Sequence, residues 1–213
     1  FIFINLDPAC AELDEQIGGL VPQLPLWLNG PLSIRTKLWI DVKANWKEMG
    51  AAFVNGSDFD IISAEDGHVA SGVATDGPCG RARLFWAFPN LLLAVGDDHA
   101  LVVLLQSTAP GKTLCRLFLT GPEALSEQRA AELGFGWIGW VKACGAAAEA
   151  LHQDHVLHGT ASRPGTQAGM LPLETNAGSY LLNRYLSQRL CKEHKYYWTA
   201  PIMDAAMLMR GVR

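Results

Sequence analysis

Between residues 68 and 119 strand-length segments follow one another without a helix between them, and this narrows the folds open to the chain more than any other feature. The segments lie near 68–75, 82–88, 91–95, 100–107 and 113–119. They are separated by turn residues such as Gly96-Asp97-Asp98 and Pro110-Gly111-Lys112, and strands joined by short turns pair antiparallel. Upstream, "SIRTKLWIDV" (33–42) alternates, which puts Ile34, Thr36, Leu38, Ile40 and Val42 on one face of a half-buried strand. After Pro122 the composition turns to Ala, Glu, Leu and Gln. That predicts helices over 123–133 and 142–158, with "GFGWIGW" as the break between them. Consecutive strands followed by helices predict an α+β fold, a curved antiparallel sheet with helices packed on one face.

The remaining segments fill in around this frame. Residues 1–6 read as a strand and 9–18 as a short helix, followed by the Gly/Pro-rich connection "GGLVPQLPLWLNGP". A helix is predicted over 44–56, with Trp46 and Phe53, two turns apart, facing inward. "GTASRPGTQAGM" is a loop, and a last helix begins near Thr175, with Leu181, Leu182, Tyr185, Leu186 and Leu190 on one stripe. There is no internal repeat. The 213 residues, half of them hydrophobic, suit one domain over 1–213 with a sizeable core. "FIFINLDP" opens in mid-strand, so the chain is expected to be the C-terminal part of something longer.

Several function classes find no support. The net charge is −4 and the pI about 5.8, with no basic run that would track phosphates, so no nucleic acid is expected. The longest apolar run, "LFWAFPNLLLAV", is interrupted by Pro89 and Asn90 and falls short of the roughly 18 residues of a membrane span. Cys10, Cys79, Cys115, Cys144 and Cys191 are odd in number and contain no C-x-x-C. They argue against a disulfide framework or a cysteine metal site and for a reducing cytoplasm. Cys115 and Cys144 lie in apolar surroundings with no histidine base beside them, a poor setting for a nucleophile. No phosphate-cradling glycine loop and no G-x-S-x-G motif occurs.

Candidate site residues fall into three groups. Asp58, Asp60, Glu65 and Asp66 form either a hard-cation site or a solvated acidic turn. His152, His155 and His158 are spaced i, i+3, i+6, so neighbouring pairs share a helix face. With Asp154 they offer a metal site, hydrolytic in one reading, or else the polar end of a helix. His68 opens a strand as a ligand or a structural residue. Trp46, Phe53, Phe85, Trp86 and Phe88 either line an apolar substrate cavity or pack as core. Trp137 and Trp140, flanked by glycines, suggest a lid, a subunit contact or packing at a sheet edge.

Four stretches, in order, carry a resemblance. They are "FIFINLDP", "VKANWK", "LFWAFPNLLLAV" and "HQDHVLHGTASRPGTQAGMLPLE". Together they resemble the catalytic domain of the alpha subunit of Rieske-type non-haem iron oxygenases, the aromatic-ring-hydroxylating family. The resemblance implies a helix-grip fold with the substrate cavity between sheet and long helix. It implies O₂-dependent hydroxylation of a small apolar or aromatic substrate at a mononuclear Fe(II). It also implies a 2Fe-2S cluster in a Rieske domain upstream of residue 1, outside this chain, and a homo-oligomer or a Rieske-bearing or reductase partner. The family holds its iron with two histidines and a carboxylate on one face, which leaves other positions open for O₂ and substrate.

Carried onto this chain, the ligand carboxylate falls on Asp154, and the two histidine positions fall on Asp58 and Ser63. Two supporting acids fall on Ala51 and Asn55. An oxygenase would then need an altered shell of Asp58, Asp154 and one of His68, His155 or His158, with Asp154 and Asp58 facing one cavity. The alternative is a non-catalytic relative that binds a small apolar ligand or supports an active partner.

Overall fold

The computed structural model of the chain describes residues 19–54, 58–60 and 69–158, with the backbone path alone at 58–60, 70, 76 and 155–158. Its strands are β1 (Leu32–Val42), β2 (Asp58–Asp60), β3 (Val69–Gly77), β4 (Gly80–Ala87), β5 (Leu91–Val95), β6 (Ala100–Ala109) and β7 (Lys112–Pro122). They form one seven-stranded sheet in the order β1-β7-β6-β5-β4-β3-β2. Every pairing is antiparallel. From β2 to β7 consecutive strands are neighbours in the sheet, and from β3 onward short turns join them into hairpins. The β3–β4 turn needs a left-handed residue, and Gly80 supplies it at φ +93°. β1 and β2 lie at opposite edges. The helix between them, α1 (Trp46–Val54), therefore carries the chain across the sheet.

The sheet is buried on both faces. On one face Leu84, Trp86, Leu92, Leu101, Val103 and Leu117 pack with α1 and the long helix α2 (Glu127–His158). On the other, Phe85, Leu91, Val95 and Val102 meet Leu20, Leu24, Trp27 and Leu28. The last four belong to the connection before β1, which coils into 3₁₀ turns at Val21–Gln23 and Leu26–Asn29. Strands buried on both faces read as continuous apolar runs, and "LFWA" and "LLLAV" do so.

Two expectations need correction. Ile34 does not share the face of Leu38, Ile40 and Val42, because a bulge falls between Ile34 and Thr36 and the register shifts by one residue. A one-residue shift turns every earlier side chain over, and Ile34 is left 64% exposed. Nor is there a break at "GFGWIGW", since α2 runs unbroken for 32 residues, about 48 Å at 1.5 Å per residue. Its start is set by Ser126, whose Oγ accepts from Arg129 N at 3.2 Å. Its glycines serve packing instead of termination. A Cβ at Gly136 would stand 3.0 Å from Cys79 Sγ, and one at Gly134 would stand 3.2 Å from Thr36 Oγ1. The expected strand at 1–6, the helix at 9–18 and the helix beginning near Thr175 lie outside the described residues.

Candidate functional site

Asn45-Trp46-Lys47 opens α1, and its chemistry is that of a helix cap. Asn45 Oδ1 accepts from Lys47 N at 3.0 Å, and Glu48 Oε2 reaches back to accept from Asn45 N at 2.9 Å. Two orphan donors of the first turn are thereby satisfied reciprocally. The cap is also fastened to its surroundings. Asn45 Nδ2 donates to Pro110 O at 2.8 Å, and Thr113 Oγ1 donates to Ala44 O at 2.8 Å. The same Glu48 oxygen lies 2.8 Å from Nδ1 of His152, near the end of α2. Lys43 N donates to Glu149 Oε1 at 2.7 Å. The start of α1 and the last turns of α2 are thus held together by two carboxylates.

Downstream of the cap, α1 presses directly onto the sheet. Gly50 lies against the Trp86 indole so closely that a Cβ there would fall 2.3 Å from a ring carbon. Trp86 Nε1 donates to Pro89 O at 3.1 Å, and its ring meets Phe88 at 4.4 Å. Phe53 is buried and stands edge-on to Trp140 of α2 at 4.6 Å, and Trp140 meets Trp137 at 5.3 Å. Trp46 is half-buried against the same cluster. Of the predicted cavity residues, Trp46, Phe53 and Phe88 therefore gather on the helix side. Phe85 does not join them. It follows Leu84 on β4 and precedes Trp86, so alternation sends it to the opposite face. Trp137 and Trp140 form part of this core rather than a lid.

The predicted ligands are only partly within the described residues. Asp154 lies on α2 and is exposed. Asp58 and Asp60 lie on β2, at the sheet edge opposite β1, and His155 and His158 lie on the last turns of α2. The side chains of these four are outside the description, as are His68, Ser63, Asn55, Glu65 and Asp66 altogether. Ala51, where the resemblance would put an acid, is buried. His152 turns its Nδ1 to Glu48. Among the described residues no three His, Cys, Asp or Glu side chains stand close enough to hold a metal ion. Burial pushes the thiols of Cys115 and Cys144 up to about 12, which makes both poor nucleophiles. Cys79, Cys115 and Cys144 are free.

One polar cluster has no counterpart in the sequence reading. His99, at the tip of the β5–β6 hairpin, is 2% exposed. Trp137 Nε1 donates to His99 Nε2 at 2.8 Å, and His99 Nδ1 lies 2.7 Å from Asp98 Oδ1. An indole N–H can only donate, so Nε2 accepts and the proton sits on Nδ1, directed at Asp98. Asp98 Oδ2 accepts from Arg129 Nε at 3.3 Å. Burial acts to raise the Asp98 carboxyl, but the bonds from His99 and Arg129 outweigh it and hold the group below its ordinary value. With both ring nitrogens engaged, the cluster is a latch between hairpin and α2 and not a base or a ligand.

Solved structures share this fold. The quaternary ammonium Rieske monooxygenase CntA in complex with gamma-butyrobetaine is similar at a TM-score of 0.61 and 15% identity, over 87% of this chain and 56% of that one. Apo dicamba monooxygenase is similar at 0.54 and 10% identity, over 76% of this chain and 57% of that one. Naphthalene 1,2-dioxygenase from Rhodococcus sp., bound to indole, is similar at 0.52 and 13% identity, over 70% and 51%. The chain thus has the fold of Rieske mono- and dioxygenase chains over somewhat more than half their length. No protein-family model matches the sequence, and no curated protein matches it. Among the described residues no helix is long and apolar enough to cross a membrane.

Proposed function

We propose that the chain is a divergent catalytic-domain relative of the Rieske-type non-haem iron oxygenases, in which the fold persists and the mononuclear iron shell has changed. The observation that carries this reading is the agreement of motif and fold at one place. Asn45-Trp46-Lys47, the stretch that resembles the start of the family's iron-site helix, caps a helix laid against the sheet. The chain around it shares the fold of CntA at a TM-score of 0.61. In this reading the ancestral reaction is O₂-dependent hydroxylation of a small apolar or aromatic molecule, and Trp46, Phe53 and Phe88 are the aromatic side chains nearest its cavity. Electrons would come from a 2Fe-2S cluster on another domain or subunit, with a reductase behind it, in a reducing cytoplasm.

The aligned ligand positions decide what remains of that activity. Serine is a poor ligand for a ferrous ion, and a carboxylate in place of an imidazole favours harder cations such as Mg²⁺ or Mn²⁺. Asp58 and Ser63 stand at the two histidine positions, and Ala51 stands at a supporting acid. Losing second-shell support alone costs about 10–100-fold in metal affinity or activity. The isolated chain is therefore expected to bind iron weakly and to show no oxygenase turnover. A second reading, a relative that binds a small apolar ligand or supports an active partner, is favoured by Ala51, whose buried methyl continues the apolar core through an acid's place. The test is Asp58→His combined with Ser63→His, followed by anaerobic Fe(II) titration. Iron affinity should rise at least tenfold over the unmodified chain. An unchanged titration would mean that these positions do not face a metal pocket.

A further inference from the structure

A cleft of about 470 Å³ opens between the 3₁₀ connection and the adjoining ends of β4 and β5. Its lining includes Gln23, Leu24, Arg81, Arg83, Val95 and Asp97. Leu24 and Val95 belong to the cluster on the sheet face away from the helices, so this cleft is independent of the oxygenase reading. Arg81 and Arg83 flank Ala82, which is buried toward the helices. Alternation therefore sends both arginine stems to the cleft side, roughly 7 Å apart along the strand. Arg83 Nη1 donates to Gln23 O at 3.0 Å, which fixes one guanidinium against the wall and leaves its other donors to the cleft. Arg81 is exposed and, among the described residues, forms no ion pair. Among the described residues Asp97 is the one acid in the lining, so the cationic groups there are in excess.

A guanidinium presents a planar fork that matches a carboxylate or a phosphate, and two forks on one wall match it better than scattered surface charge does. We propose that this cleft binds the oxyanion group of a small molecule, a carboxylate or a phosphate, clamped by Arg81 and Arg83 with Leu24 and Val95 as an apolar floor. Proline at 22 and 25 stiffens the facing wall and withholds backbone donors there, which leaves recognition to the arginines.

Calorimetric titration of the purified chain with sodium benzoate and, separately, with inorganic phosphate tests this. At least one probe should bind saturably, and the tighter of the two tells an organic carboxylate from a phosphate ester. Arg81→Gln should weaken that binding roughly tenfold, since it removes a charge-assisted contact. Arg83→Lys, which keeps the charge but loses the fork, should also weaken it, and Asp97→Asn should tighten it. Arg116→Gln, an exposed change on β7, should leave it unaltered. Saturation by neither probe, or Arg81→Gln binding as tightly as the unmodified chain, would overturn the assignment.

Discussion

Asp98 joins His99 beside it to Arg129 on α2, and its carboxyl is held below the ordinary range. A group whose folded-state pKa is depressed adds stability above its unfolded value, about 4 for Asp, and loses it as the pH falls through the folded value. Asp98→Asn should therefore be less stable than the unmodified chain at pH 6, and the gap should close as urea melts are repeated toward pH 2. A gap that stays constant would contradict this. Trp137→Phe should cost about 1–3 kcal/mol, because it leaves Nε2 of a buried His99 without its donor. Neither residue advertised this role. "GDDH" reads as a solvated hairpin tip, and only a tryptophan 38 residues later closes over the ring. The available signal was the apolar run that follows at once, "ALVVLL", which places His99 at the mouth of a buried strand.

The helices show where sequence patterns carry and where they mislead. The helix after Asn45 was legible from its pattern, while its capping bonds and the bonds to Pro110 and His152 were not. Asn45→Ala should lower stability by about 0.5–2 kcal/mol in a denaturant melt. The glycines of α2 looked like a break because glycine weakens a helix, but the sheet needs close approach at Gly134 and Gly136. Gly139 has nothing within 4 Å of a built Cβ. Gly139→Ala should then raise stability by about 0.5–1 kcal/mol. Gly50→Ala, aimed at the Trp86 ring, should lower it by about 1–3 kcal/mol. Equal melting temperatures for the two alanine variants would refute this account of helix-on-sheet packing.

At the scale of the molecule, the fold was legible because its strands are consecutive and closed by turns, so period and punctuation suffice. The meander from β3 to β7 follows the expected segments to within two or three residues at each end. What could not be read was facing: a bulge turned Ile34 outward, and strand alternation put Phe85 and Phe53 on opposite sides of the sheet. The candidate centre was less legible still, because a metal shell is assembled from distant segments, and here Asp58 and Asp154 lie on β2 and α2. The central claim is that this oxygenase fold has lost the ligand set that holds mononuclear iron. The direct measurement is the metal content of the chain purified from iron-supplemented medium. The account predicts iron far below one equivalent, unchanged by Asp154→Ala. Near-stoichiometric iron that is lost on Asp154→Ala would contradict it and would mean that a relocated ligand such as His68 or His158 had rebuilt the centre.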